Sequence, residues 1–231
     1  MNPKIDFIDE YFKKWHENLK RARRLLSRKE FYLEGILVLS CYIGALSRLR
    51  YPNEDKDWKA YKQIVLEYSS KRDLYEKIDL LFFYQWPRSL YKDDKKFKKL
   101  ADYPQLVQIF TSKFGDEGSI RLDNDKNRYA TENHLLNAIS SNPFPEFDQD
   151  NFIRYVKLFS NCEILYRYVR CQAVHENDFP LVNKVSIVES GTIRYEDNHI
   201  ITGKVIYETV RDILENLRRE CLAKQQWPFE L

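Results

Sequence analysis

Glycine is scarce in this chain, with six in 231 residues. So few glycines argue against a turn-dense all-β fold. Neither Gly-x-x-x-x-Gly-Lys nor Gly-x-Gly-x-x-Gly occurs, which removes the usual nucleotide-phosphate fingerprints. Cysteine is also sparse: the four thiols stand at 41, 162, 171 and 221, with no Cys-x-x-Cys pair. The N-terminal stretch is polar and charged and does not read as a secretory leader, so reduced thiols in a cytoplasm are expected. Long apolar runs are missing. The longest, Gly35 to Leu46, is too short for a bilayer and reads as a buried helix, with no membrane partner expected. Charge of one sign is nearly balanced, and a net +3 does not by itself imply nucleic-acid binding.

Aromatic residues are plentiful. At 15% of the chain, with 16 Tyr and 14 Phe, they supply a substantial core despite 32% charged residues. The length suits one large domain, or a domain carrying an insertion. The basic residues are unevenly spread: Lys13, Lys14, Lys20, Arg21, Arg23, Arg24, Arg28 and Lys29 face only Glu17 within their span. One reading is a face that meets phosphates, with Lys20, Arg21 and Arg24 as RNA contacts. The other is a solvated helix face paired with acids elsewhere.

Helical periodicity dominates. Ile8, Phe12, Trp15, Leu19, Ala22 and Leu26 recur at three- and four-residue steps. A second helix over about 29–50 is apolar nearly all round and should be central, with Gly35 and Gly44 permitting close helix contact. Pro52 follows as a stop signal. A third helix, Asp57 to Tyr68, has Trp58, Tyr61, Val65 and Tyr68 on one side. Ile78 to Tyr84 fits a short strand or more helix, and Pro87 ends it. Pro104 either breaks the following helical text or starts a new helix. Residues 115–130 are polar and turn-rich, and Asn142-Pro-Phe-Pro145 is a stiff connector. Together 86–149 read as an insertion into a single domain. A long helix is expected from about Asp148 to Glu176, with the stripe Phe152, Val156, Phe159, Cys162, Tyr166, Val169 and Ala173. Val185, Ile187, Ile193 and Tyr195 then fit a small β-hairpin. Thr202 caps a closing helix that buries Ile206, Val210, Ile213, Leu217 and Cys221.

The chemistry-bearing string is Arg170-Cys-Gln-Ala-Val-His175, which closes the long helix before Asn177, Asp178 and Pro180. A guanidinium holds negative charge, and an imidazole moves protons near neutral pH. On a regular helix residues five apart diverge by about 140°, so Arg170 and His175 converge only if the last turn loosens. At that helix end the carbonyls and Glu176 favour the imidazolium form. Such a pair suits metal-free RNA cleavage: one group activates the 2′-hydroxyl or protonates the leaving 5′-oxygen, while the cation stabilises phosphorane-like charge. The competing reading is a satisfied capping pair. Cys171 and His175 share a helix face and could form a thiolate–imidazolium pair or half a metal site. His134 and His199 bring no partnering motif, so no metal and no cofactor are expected. Tyr166, Tyr168 and Arg167 offer base stacking or phosphate contact; alternatively Tyr166 is core and Arg167 solvated. Glu34 either orients Arg170 across the bundle or points to the surface.

An early central helix, a late helix ending Tyr166-Arg-Tyr-Val-Arg-Cys-Gln-Ala-Val-His175 and a closing helix resemble the HEPN domain (higher eukaryotes and prokaryotes nucleotide-binding). The resemblance covers about 1–85 and 148–225. It implies a mainly all-α fold, a bundle of four or five helices that is often dimeric and carries an Arg-x(4–6)-His motif. Many such proteins are metal-independent endoribonucleases of toxin–antitoxin, phage-defence or RNA-processing systems; others are noncatalytic partners. By resemblance, Arg170 and His175 take the motif's catalytic roles, with RNA as substrate, a second copy of the chain as partner, and an antitoxin or other protein as a further partner. The position after the motif arginine is often Asn, Asp or His in that family, and here it is Cys171. A thiol is a poor replacement for an amide or imidazole, which leaves Glu176 or Asn177 to supply the polar contact, or the module noncatalytic.

Overall fold

In the computed structural model, residues 3–88, 95–122, 127–171 and 200–231 are described. Of these, 77% are helical, and a single pair of short strands is the only sheet among them. The mainly all-α class read from the periodicity is what the chain adopts. In chain order the helices are α1 (Pro3–Leu26), α2 (Tyr32–Arg50), α3 (Asp57–Tyr68), α4 (Arg72–Glu76), α5 (Leu80–Gln85), α6 (Tyr103–Phe114), α7 (Glu117–Leu122), α8 (Glu132–Ser141), α9 (Gln149–Val156), α10 (Asn161–Ile164) and α11 (Gly203–Lys224). The strands are β1 (Ile78–Asp79) and β2 (Tyr129–Ala130). The polypeptide divides into two compact units, one holding 3–75, 165–171 and 200–231 of the described residues, the other 76–164. Residues 86–149 fall inside the second unit, which begins before them and runs past them.

The first unit is a bundle of α1, α2, α3 and α11. α1 buries Ile8, Phe12, Leu19 and Ala22; each large apolar side chain so removed from water contributes roughly 1.5–3 kcal/mol. α2 packs against α1, α3 and α11 through Ile36, Leu39, Ile43 and Leu46. The 22-residue stretch Lys29–Arg50 is long and apolar enough to cross a membrane by length and composition. Of its two glycines, only Gly35 permits close approach, since a Cβ there would meet the Leu26 backbone nitrogen at 2.9 Å. Gly44, expected to do the same, faces open space. α3 buries Ala60, Tyr61, Ile64, Val65 and Tyr68, but Trp58, expected on the same side, is exposed. Thr202 caps α11 by accepting from the Val205 amide, and Ile206, Val210, Ile213, Leu217 and Cys221 are buried as expected. Polar ties cross the bundle: Arg218 pairs with Asp9, and the Asn216 amide donates to the Tyr68 carbonyl at 2.7 Å.

The second unit resolves the Ile78–Tyr84 ambiguity by using both answers, a two-residue strand followed by a helix. β1 pairs antiparallel with β2, Ile78 opposite Ala130 and Asp79 opposite Tyr129. Asp79 then caps α5 by accepting from the Phe82 amide. Its carboxylate also receives Arg128 Nε at 3.1 Å and Nη2 at 3.0 Å, an ion pair with side chains only 0% and 1% exposed. The core is aromatic, with Phe83 and Phe159 at 4.9 Å, Phe97 and Phe159 at 5.0 Å and Trp86 stacked on Phe97 at 5.4 Å. Pro104 sits in the first turn of α6, so it starts a helix. α7 lies where only turns were expected, because Asp116 accepts from the Ser119 amide and hydroxyl and so acts as a helix-start signal.

The single long helix expected from 148 to 176 is interrupted. After α9 and a turn of 3-10 helix (Lys157–Phe159), Ser160 becomes extended and bridges Ile78, while Asn161 N donates to Lys77 O. The Ser160 hydroxyl accepts from the Glu163 amide and starts α10. The backbone groups lost to the helix are thus satisfied by β1 and by a cap, which is why the apolar stripe hides the break: Phe152, Val156, Phe159, Cys162 and Val169 are all buried. Ala173 and the residues of the expected hairpin lie outside the described residues.

Candidate functional site

Leu165–Cys171 forms a π-helical turn, with bonding from i to i+5. Leu165, Tyr168 and Val169 point into the first unit and are buried, whereas Tyr166, Arg167, Arg170 and Cys171 are half-buried. The wide turn brings successive polar residues together. Arg170 Nη1 donates to Cys171 Sγ at 3.7 Å, and the guanidinium lies 5.5 Å over the Tyr166 ring. Burial alone would weaken the Arg170 charge, but the Cys171 thiol and the Tyr166 and Tyr61 phenols more than offset it, and the guanidinium is held charged above its ordinary range. Burial, reinforced by Cys171, pushes the Tyr166 phenol up to about 12 against the pull of Arg170. At neutral pH the site therefore presents a cation on a neutral aromatic face. Among the described residues no carboxylate pairs with Arg170.

This constellation opens into a cavity of about 280 Å³ whose walls include Cys41, Gly44 and Arg48 of α2, Asp57 and Tyr61 of α3, and Tyr166 and Arg170. The absent Gly44 side chain leaves the α2 wall open. Tyr61 meets Tyr166 edge-on at 5.2 Å. Arg48 is ion-paired with Asp57 and also donates to the Glu54 carbonyl, tying the end of α2 to the start of α3. With two guanidiniums and one carboxylate the lining is net positive and part aromatic, a combination that suits an anionic group attached to a flat ring. Periodicity set Tyr61 on the apolar side of its helix but did not bring it together with Arg48, Asp57 or Cys41, because they converge only when α2 and α3 pack.

Of the residues singled out in the sequence, Arg170 lines this cavity, and Cys171 accepts a bond from it. His175, Glu176 and Asn177 lie outside the described residues. Tyr166 forms cavity wall, whereas Tyr168 is fully buried. Glu34 is exposed on the first turn of α2, which leaves the surface reading. The described histidines, His16 and His134, do not line the cavity. His16 is held below its ordinary value by burial. Among the described residues no group of three or more His, Cys, Asp or Glu side chains is placed to hold a metal ion.

The basic run on α1 is solvated along its length. Lys13, Lys14, Lys20, Arg21, Arg23, Arg24, Arg28 and Lys29 are all exposed. Lys13 pairs with Asp9 and Glu10, and Arg23 lies over Tyr207. Among the described residues no acid pairs with Lys20, Arg21 or Arg24.

No protein-family model matches the chain, and it matches no curated protein and no solved structure.

Proposed function

We propose that this protein is a cytoplasmic, metal-independent endoribonuclease of HEPN type, acting as a homodimer in a toxin–antitoxin or phage-defence setting. The observation that carries the reading is Arg170: a charged, half-buried guanidinium with no carboxylate partner among the described residues, set over Tyr166 in the wall of an open cavity. A buried-side cation kept charged and unneutralised is suited to an anion that arrives from solution.

In the proposed reaction Arg170 holds a phosphodiester oxygen. His175 takes the proton of the 2′-hydroxyl, the 2′-oxygen bonds to phosphorus, and the bond from phosphorus to the 5′-oxygen breaks. The leaving oxygen receives its proton from an imidazolium, supplied by His175 of the second copy across the two-fold axis. The products are a 2′,3′-cyclic phosphate and a 5′-hydroxyl. Glu176 and Asn177 are the polar supports, and Lys20, Arg21, Arg24 and Arg167 are the contacts for flanking phosphates.

The test is cleavage of a mixed RNA pool in EDTA. Wild type should cut and leave cyclic-phosphate ends, and Arg170→Ala or His175→Ala should lose about 100-fold or more in rate. Cutting that survives both substitutions in nuclease-free protein would refute the reading. A second reading, a noncatalytic module that binds RNA or a protein, is favoured by one observation: the motif's second position holds a thiol already engaged by Arg170. Salt-sensitive RNA binding without cutting in wild type and both variants would establish it.

A further inference from the structure

Trp58 is the second residue of α3 and is 37% exposed, in a helix that buries Tyr61, Ile64, Val65 and Tyr68. Its sequence neighbour Asp57 and its next-turn neighbour Tyr61 both line the cavity that holds Arg170. Lys62 Nζ lies 4.4 Å over the indole ring and Lys59 Nζ 5.9 Å from its centroid. The ring is thus partly in solvent and partly packed, with the ammonium groups of Lys62 and Lys59 beside it, Lys59 also 3.9 Å from Glu54.

We infer that Trp58 is a stacking platform for one nucleobase of single-stranded RNA whose neighbouring phosphate is held at Arg170. The inference rests on the RNA reading of that cavity. Along α3, Trp58 and Tyr61 are separated by about 4.5 Å of rise, so the indole stands within one helical turn of the cavity wall. Tyr61 and Tyr166 meet edge-on in the cavity wall; Trp58 does not line the cavity and is part-exposed beside it. An incoming base lies on the indole, and the ammonium groups of Lys59 and Lys62 turn to the phosphates on either side of it. Every base has a π-face, so the platform is tolerant of sequence and selects strands whose bases are not already paired. It differs in kind from the α1 cations, which meet backbone charge alone.

The experiment measures binding of the full-length protein to fluorescein-labelled 2′-O-methyl hexauridylate, whose blocked 2′-oxygens prevent cleavage, and to an abasic strand of the same length. Trp58→Ala should weaken binding of the base-bearing strand about ten-fold and leave the abasic strand unchanged, while Trp58→Phe should stay within about three-fold of wild type. Arg170→Ala should weaken both strands. Equal binding of Trp58→Ala and wild type to the base-bearing strand would overturn the inference, as would an equal loss on both strands. If wild type binds neither strand, the platform and the RNA reading fall together. If Trp58-dependent binding holds but unmodified RNA is never cut, the platform stands and the nuclease reading falls.

Discussion

Arg128→Met tests the energetics of the second unit most sharply. Arg128 meets Asp79 through Nε and Nη2 at 3.1 and 3.0 Å, and both side chains are almost fully removed from water. Methionine keeps most of the aliphatic stem and removes the charge, so the loss is electrostatic rather than a large cavity. It takes the buried guanidinium away from the Asp79 carboxylate, which also caps α5. Removing one partner of a buried pair costs about 3–5 kcal/mol, because the remaining charge keeps its desolvation penalty and loses its compensation. That is a large share of the stability of an ordinary domain. Urea unfolding followed by circular dichroism at pH 7 should show the loss as a shifted midpoint with little change in slope. Asp79→Asn combined with Arg128→Met should recover most of it, since asparagine retains the cap and leaves no buried charge. A single variant within about 1 kcal/mol of wild type, or no gain from the double variant, would refute the reasoning.

Three further outcomes are expected. Gly35→Ala should lower stability by about 1–3 kcal/mol in thermal or urea melts, because its Cβ would meet the Leu26 backbone at 2.9 Å, whereas Gly44→Ala, with open space around it, should raise stability by up to about 1 kcal/mol. Asp9 is held below its ordinary value by its bond from Arg218, and Glu208 likewise by Lys71; a depressed folded pKa means stability present above the unfolded carboxylate range and lost as pH falls through the folded values, so the urea midpoint should drop on acidification below about pH 4, less steeply in Arg218→Gln. Thr202→Ala removes the acceptor for the Val205 amide and should cost about 1 kcal/mol, measurable as a lower melting temperature.

The site draws its character from charges kept unequal. Arg48 is spent on Asp57, the Tyr166 phenol stays neutral to high pH, and Arg170 is left with a thiol and a ring as neighbours. The exposed cations of α1 surround a different surface, and of these Lys13 alone is drawn into ion pairs with acids of its own helix.

Sequence alone determined the all-helical class and the identity of most helices, because a three-to-four-residue apolar repeat is a local property written on one face of each element. It also placed the Thr202 cap and the buried face of α11, and singled out Arg170 through its spacing to His175. Tertiary structure decided the rest. The break at Ser160 is invisible locally, as the stripe continues through it; only pairing with Ile78 makes leaving the helix cheaper than staying. The exposure of Trp58 beside buried Tyr61, the open space at Gly44 against the close contact at Gly35, and the meeting of Arg48, Asp57 and Arg170 in one cavity all follow from how helices far apart in the chain pack. Periodicity reports which face an element buries; which residues then share a wall is fixed by neighbours the local pattern cannot contain.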